Sequence, residues 1–559
     1  METLTAKLSQ LIHEKYNQSL TPTLERPDAQ FGDYATNVAM QLAKPLGRNP
    51  RDIADELKAA LDETGEFKEV TVAGPGFINL RLTDEKLREQ LALQPAMSLS
   101  GIRYVIEYSC PNAFKELHTG HLYNTIFGDI LARLIEQAGA TVNRTSFGGD
   151  VGLHVAKALW GMIATVGGTN PDKLNDVDTT AFARANWISK CYVKGAGEYE
   201  ENIEAKQKID ELNKTIYGFH AENDHESPLA KMYWTTRQWS YDYFKDFYEL
   251  IKVDTMRYYP ESETATVGME VVKEQLAAGI LKESEGAVIF EGDETKYLHT
   301  RVFVTSKGLP TYETKDIGVI WMEKTDYDFQ KRILITGNDQ KEYMRVVFAA
   351  ADAFRPGIGE TMTHLTNGTV RFADGKKMSS RLGNVSRAVD VVDVVREKVK
   401  ELIKDDALVE PVTLGAIKYV FAKYRLGGDI SFDIDETVSL AGNSGPYIQY
   451  AHARARSIIR KSTAGEGGSM GASFTESERA LVVKLGEYND VVARATEELM
   501  PHYICHYLYE TAQEFNRFYE NTRVIGSENE TELVHLVSTY AATLKSGLGL
   551  LGIDAPETM

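Results

Sequence analysis

The chain has 559 residues, 43% hydrophobic and 26% charged, which is material for three or four folded domains and too apolar for default disorder. It carries 81 acidic and 62 basic side chains, a formal net charge of -19. That balance favours solubility and argues against a uniformly basic nucleic-acid binder, while leaving room for a local basic surface.

In chain order, the opening METLTAKLSQLIHEKY reads as an amphipathic helix and lacks the apolar core of a signal peptide. Residues 1–97 form an expected small α/β domain, with a turn-rich stretch at 26–33 and a strand at 76–82 that alternates apolar and polar residues. The stretch QPAMSLSG reads as a linker. Residues 102–108, rich in β-branched and aromatic side chains, predict a buried parallel strand. A loop over 109–118 leads into a helix through Leu122, Ile126, Ile130, Leu134 and Ala138 that stops at Gly139. A strand at 141–145 completes a β-loop-α-β unit, the first half of a doubly wound nucleotide-binding fold. A second unit is expected near 333–354. Between the halves lies an insertion at about 155–300, polar at first and aromatic-rich over 232–259. From 405 to 559 the pattern is helical to the end, as in a bundle, so residues 98–404 are assigned to the Rossmann-type domain. The three cysteines, Cys110, Cys191 and Cys505, are far apart and show no metal or disulfide spacing. No run of about 18 apolar residues occurs, so no membrane span is expected, and the plain expectation is a reducing, cytoplasmic protein.

Two short motifs carry chemistry. His118-Thr119-Gly120-His121 opens the first helix of the nucleotide fold. A helix N terminus offers free N–H groups to an anion, and two imidazoles add donors to a phosphoryl group that gains charge. Gly120 leaves space for a purine or ribose to approach. The second motif, Lys377-Met378-Ser379-Ser380, lies in the polar loop DGKKMSSRLGN after the second half of the fold. A lysine there can pair with a pyrophosphate leaving group. Each motif alone also reads as a solvated surface turn; both, in this order and in the two halves of one fold, point to an ATP site.

Together they resemble the two signatures of class I aminoacyl-tRNA synthetases, and their context resembles the arginyl-tRNA synthetase family. The matching stretches are EYSCPNAFKELH at 107–118, GDVG at 149–152, YETKD at 312–316, GNDQ at 337–340 and GNSGPYIQYAHAR at 442–454, with FGDYATN at 31–37 and GPGFIN at 74–79 in the first domain. The resemblance implies an α/β class I Rossmann-type catalytic domain with an insertion, preceded by a small α/β domain for the tRNA elbow and followed by an all-α anticodon-binding domain. It implies that Glu107, Asn112, Tyr312, Asp316 and Gln340 hold L-arginine, whose planar guanidinium fork suits a carboxylate. The bottom-up alternative for Glu107 and Asp316 is an ion pair at a strand end. Ser380 stands where the class I signature has its second lysine; the resembled family often lacks that lysine and carries one before the histidine motif instead. Lys115, three residues before His118, is therefore paired with Lys377 on the ATP phosphates, and Arg381 is a weaker substitute.

The implied reaction is activation of arginine by ATP to arginyl-adenylate and pyrophosphate, then transfer to tRNA(Arg) with release of AMP. Magnesium is expected on the ATP phosphates, with no other cofactor, no dedicated metal site and no membrane partner; a monomer is expected, with bound tRNA needed for activation. RNA contacts are expected from Phe77 and Asn79, although Phe77 reads equally well as a core residue. Others are expected from Tyr447, Tyr450, Arg454 and Arg456, followed by Arg460 and Lys461. Tyr519, Asn521 and Met559 are weaker candidates, and Phe515 and Phe518 read as core. Three alternatives stay open: a class I synthetase for another polar amino acid, a nucleotidyltransferase of the same superfamily, and a synthetase-derived RNA-binding or regulatory protein.

Overall fold

The computed structural model describes residues 2–254, 256–372, 387–463 and 468–559. The first domain runs α1 (Glu2–Tyr16), β1 (Leu24–Glu25), β2 (Tyr34–Thr36), α2 (Val38–Leu46), α3 (Pro50–Asp62), β3 (Phe67–Ala73), β4 (Phe77–Leu82) and α4 (Asp84–Ala92). Its antiparallel sheet has the order β1-β2-β4-β3. Asn49 caps α3 through the Arg51 N–H, and Pro50 fills the first helical position, which fixes where that helix starts. The domain does not stand alone. Arg479 of the helical tail is almost fully buried between Asp33 at 2.6 Å and Asp84 at 2.8 Å. Removing one partner of such a pair costs roughly 3–5 kcal/mol, so the first domain and the tail are held as neighbours.

The central region runs β5 (Arg103–Glu107), α5 (Thr119–Gln137), β6 (Thr141–Gly148), the helices α6 (Leu153–Val166), α7 (Ala181–Glu201), α8 (Ile203–Ala221) and α9 (Pro228–Leu250), then β7 (Arg257–Pro260) and α10 (Glu261–Ala277). A meander of β8 (Lys282–Ser284), β9 (Ala287–Phe290) and β10 (Arg301–Val304) precedes α11 (Tyr312–Tyr327), β11 (Lys331–Gly337), α12 (Lys341–Phe354), β12 (Met362–Asn367), β13 (Val370–Phe372) and α13 (Ala388–Leu402). Five of these strands form one parallel sheet in the order β12-β11-β5-β6-β7. The chain winds one way from β5 to β7 and the other way from β11 to β12. The switch point therefore lies between β5 and β11, where such sheets bind ligands at their carboxyl ends. The insertion is largely helical. It builds its own core from Leu159, Met162, Ile188, Ile209 and Tyr233, and takes in Ala113 and Phe114 from the loop after β5.

The tail comprises α14 (Asp406–Ala422), β14 (Ile430–Phe432), α15 (Ile434–Thr437), α16 (Gly445–Lys461), α17 (Glu476–Leu485), α18 (Tyr488–Glu497), α19 (His502–Asn521) and α20 (Glu530–Leu550). The tail is helical, as expected, apart from one short strand. Strand β14 pairs in parallel with β13, Val370 opposite Ile430. Three residues are too few for a period to register in the sequence. Phe515 and Phe518 are core residues, as expected, and Phe515 stacks on Tyr540 at 3.9 Å between ring centroids.

Candidate active site

The floor of the switch point is a buried charged layer. Register places Leu334 of β11 opposite Glu107, the last residue of β5. Two residues earlier on β11, Arg332, 1% exposed, donates from Nη2 to Glu107 and from Nε to Glu323 Oε2 at 2.6 Å. Thr145 Oγ1 donates to the other Glu323 oxygen at 2.5 Å. Burial pushes the Glu107 carboxyl up and Arg332 draws it back. The Glu107 carboxylate thus already holds an internal guanidinium, the ion pair at a strand end that stands as the alternative reading of this residue.

The loop between β5 and α5 is short and strained. Ser109, Cys110 and Phe114 all have positive φ, 69°, 50° and 65°, which non-glycine residues adopt only when surroundings insist. The insistence is visible. Asn124 of α5 accepts from the Ser109 N–H at 2.6 Å and donates to Ile335 O at 2.9 Å. It thereby staples β5, α5 and β11 together. Helix α9 adds Ser240 under the Phe114 N–H at 3.0 Å and Tyr243 under the Leu117 N–H at 3.2 Å. The Gly149 N–H donates to Asn112 Oδ1 at 2.9 Å, and the Ala113 N–H to Gly149 O at 2.8 Å.

At the end of this loop His118 is the N-cap of α5. Its Nδ1 accepts from the N–H groups of Gly120 at 3.1 Å and His121 at 3.3 Å, while His121 Nδ1 accepts from the His118 N–H at 3.2 Å. The result is a capping box built from two imidazoles, stacked at 3.8 Å between centroids. Because each Nδ1 is an acceptor, each neutral ring carries its proton on Nε2. Burial lowers the His118 pKa, with Lys115 adding to the effect, and burial drives that of His121 well down, with His118 and Lys115 contributing. Both rings are thus neutral Nε2–H donors at the helix N terminus. A Cβ on Gly120 would lie 2.9 Å from His118 Cε1, so the glycine also lets the His118 ring fold back over the start of the helix.

The other side of the site is acidic. Asp316 accepts from the Tyr343 hydroxyl, and burial raises its pKa to about 7 against that bond and against Arg332. Glu261, at the start of α10, is 6% exposed and accepts from Lys315 Nζ at 2.5 Å; burial raises it despite the lysine. A Cβ on Gly149 would meet Asn112 Oδ1 at 2.8 Å, His154 Cε1 at 2.8 Å and Glu261 Oε1 at 3.2 Å, so these three groups converge on one point. Asp150 holds that point: it accepts from the Ser262 N–H at 2.9 Å and from Arg237 Nε at 2.8 Å. Tyr312 is 67% exposed, with the Lys315 ammonium 5.2 Å from its ring centre. Gln340 donates to Asp339 at 2.7 Å. Sequence reading missed Glu261, Lys315, His154 and Tyr343. Only Lys315 and His154 sat in or next to a quoted stretch, YETKD and GDVG.

The second motif, Lys377, Met378, Ser379 and Ser380, with Arg381, falls outside the described residues. Its far end returns at Arg387, which forms a bridge with His118 and pairs with Glu116 at 3.2 Å.

The expected RNA residues divide. Phe77 is 41% exposed at the start of β4, which removes its core reading. Asn79 is 7% exposed in mid-strand, opposite Ala35 and Thr71, so little of its amide is open to a base edge. Tyr450 is 41% exposed on α16. Tyr447 is half-buried, and its hydroxyl accepts from Asn516 at 3.0 Å. Arg454 donates to Asn516 at 3.1 Å and lies 4.8 Å over Tyr519. Arg456 donates to Glu557 at 2.5 Å and Arg460 to its carbonyl at 2.8 Å, so the chain's last residues already occupy both guanidinium groups. Asn521 donates to Arg517 O at 2.7 Å. Lys461 is exposed, and Met559 packs partly against the main core.

Comparison with known proteins gives one answer over the whole chain. The family model for the class I tRNA synthetase (R) catalytic domain matches residues 87–420, that for the arginyl tRNA synthetase N-terminal domain residues 2–82, and that for the DALR anticodon binding domain residues 448–559. An arginine–tRNA ligase of Pseudomonas fluorescens (strain Pf0-1) is 30% identical, covering 99% of this chain and 98% of its own. One of Phocaeicola vulgatus is 28% identical over 100% and 99%. Among solved structures, the Thermus thermophilus arginyl-tRNA synthetase superposes with a TM-score of 0.80 at 26% identity, covering 100% of both chains.

Proposed function

The chain belongs to the arginyl-tRNA synthetase family and is an arginine–tRNA ligase, and from that premise we propose how its side chains divide the work. Arginine binds with its guanidinium between Asp316 and Glu261, with Tyr312 closing over it. Its α-amino end lies toward Asn112, and Gln340 contacts a polar end of the same ligand. Glu107 contributes from below, by fixing Arg332. ATP lies over the switch point with its phosphates at the N terminus of α5. A carboxylate oxygen of arginine attacks the α-phosphorus in line; the new P–O bond forms as the bond to pyrophosphate breaks. The two Nε2–H groups of His118 and His121 donate to phosphoryl oxygens whose charge grows in the transition state. Lys115, with Lys377, draws off the pyrophosphate, and magnesium arrives on the ATP phosphates. The terminal ribose of tRNA then attacks the adenylate carbonyl and AMP leaves. On this reading residues 1–97 meet the elbow of tRNA(Arg) through Phe77, and residues 405–559 meet the anticodon through Tyr450, Arg454 and neighbouring α16 side chains. The enzyme acts as a monomer, in the cytoplasm where tRNA is used.

The observation that supports this most strongly is the electrical division of one switch point. Neutral imidazole donors and a lysine without a carboxylate partner among the described residues stand on one side, and buried carboxylates on the other. That suits one anionic and one cationic substrate. Charging of total tRNA with each amino acid in turn tests it. Arginine alone is expected to be attached; attachment of another amino acid instead would refute the pocket assignment.

A further inference from the structure

We propose that Tyr192, on insertion helix α7, is a positioning residue for catalysis: its ring holds the Lys115 ammonium ready for the ATP phosphates without cancelling its charge. The proposal rests on the reading of Lys115 as a phosphate ligand. The Lys115 Nζ lies 4.4 Å from the centre of the Tyr192 ring. Among the described residues Lys115 has no hydrogen bond and no carboxylate partner, and the Tyr192 hydroxyl makes no hydrogen bond. The contact is therefore one of ring face and cation, which the quadrupole of the ring makes attractive.

Three features fix this arrangement. Helices α6 and α7 touch through their backbones on both sides of Tyr192: a Cβ on Gly161 would lie 1.9 Å from Cys191 O, and one on Gly195 would lie 1.9 Å from Lys157 O. The height of Tyr192 is thus set by two glycines. Next, Phe114 is fully buried in the insertion core at φ 65° and stacks on Tyr233 at 5.8 Å, which locks the backbone just before Lys115. Lastly, the nearest acid in sequence is turned away. Glu116 accepts from Asn186 of α7 at 3.3 Å and pairs with Arg387 at 3.2 Å. The other groups that sense the ammonium are His118, His121 and His154, all held neutral mainly by burial. A carboxylate in place of Tyr192 would hold the lysine as firmly, but would compete with phosphate for it. An aromatic face leaves the full positive charge available.

The test is arginine-dependent ATP–pyrophosphate exchange with tRNA present, on the full chain and on Tyr192→Phe, Tyr192→Leu, Lys115→Ala and the double variant Lys115→Ala/Tyr192→Leu. Tyr192→Phe keeps the ring and is expected within about twofold of the parent. Tyr192→Leu is expected to lower kcat/KM for ATP about tenfold, the scale of one lost cation–π contact, with the KM for arginine unchanged. In the Lys115→Ala background it should cost nothing further. Equal activity of Tyr192→Leu and the parent overturns the proposal. So does equal damage from Phe and Leu, a parallel rise in the KM for arginine, or losses that multiply in the double variant. If the unaltered chain shows no exchange, or Lys115→Ala exchanges at full rate, the reading of Lys115 falls first and this inference with it.

Discussion

The two halves of the site are built on opposite electrostatic plans. At the N terminus of α5, charge is withheld: two imidazoles are kept neutral by accepting backbone N–H groups, and their outward Nε2–H groups wait for an anion. Across the switch point, charge is concentrated: Asp316 and Glu261 are buried together, and burial raises both carboxyls. The first half is comfortable without its ligand. The second is less so: Glu261 has Lys315, but Asp316 is held by the neutral Tyr343 hydroxyl in a place where burial penalises its charge. The phosphate half is therefore prepared for a transition state, while the arginine half stores a demand for a cation.

The strongest way to break this contrast is on the phosphate side. His121→Ala removes one Nε2–H donor and half of the capping box, so kcat for adenylate formation should fall about 10²–10³-fold with the KM for arginine little changed; steady-state exchange kinetics check this. If the KM for arginine rises in step, the histidine is structural only. On the acidic side, Asp316→Asn should raise the KM for arginine about 10²-fold, the scale of one lost charge-assisted pair, and leave the KM for ATP near its parent value. The same kinetics read both values.

The acidic half also predicts a pH dependence. The folded pKa of Asp316 stands near 7, above the ordinary carboxylate value. Between about pH 4 and 7 the folded chain holds a proton that the unfolded chain has released, so this group's contribution makes stability fall as pH rises through that window. Arginine binds the ionised form. Its KM should therefore rise by up to about tenfold for each pH unit below 7, and the thermal shift produced by saturating arginine should be larger at pH 8 than at pH 6. Asp316→Asn should flatten both profiles. The smallest expected effect lies outside the site. Phe77→Ala should raise the KM for tRNA about fivefold to tenfold, as one lost stacking platform does, whereas Asn79→Ala, at a covered position, should leave it unchanged.

Much of this was legible in the sequence, for physical reasons. The strand-loop-helix unit around β5 and α5 announced itself through a change of period and a terminal glycine, and the histidine motif sat where a helix had to start. What could not be read was partnership. Glu107 is paired with Arg332 across 225 positions because parallel register brings β5 and β11 together; nothing local in either segment records it. Glu261 joins the pocket because Asp150 caps the helix behind it, and Tyr192 because two glycines bring α6 and α7 into contact. Phe77 and Asn79 are both expected to meet RNA and lie on one face of β4, yet Phe77 is 41% exposed and Asn79 7%: alternation assigns a face of a strand, but not how far along it that face is covered. In the sequence the insertion shows only as a long interruption between the two halves of the fold. In the fold it grips the loop that carries Asn112, Lys115 and His118.

Calorimetry of arginine binding at pH 6, repeated in buffers of different ionisation enthalpy, tests the central contrast most directly. A pocket that holds Asp316 protonated until its cation arrives should release close to one proton per arginine bound at pH 6, almost none at pH 8.5, and none at either pH in Asp316→Asn. Arginine binding at pH 6 without proton release would contradict it.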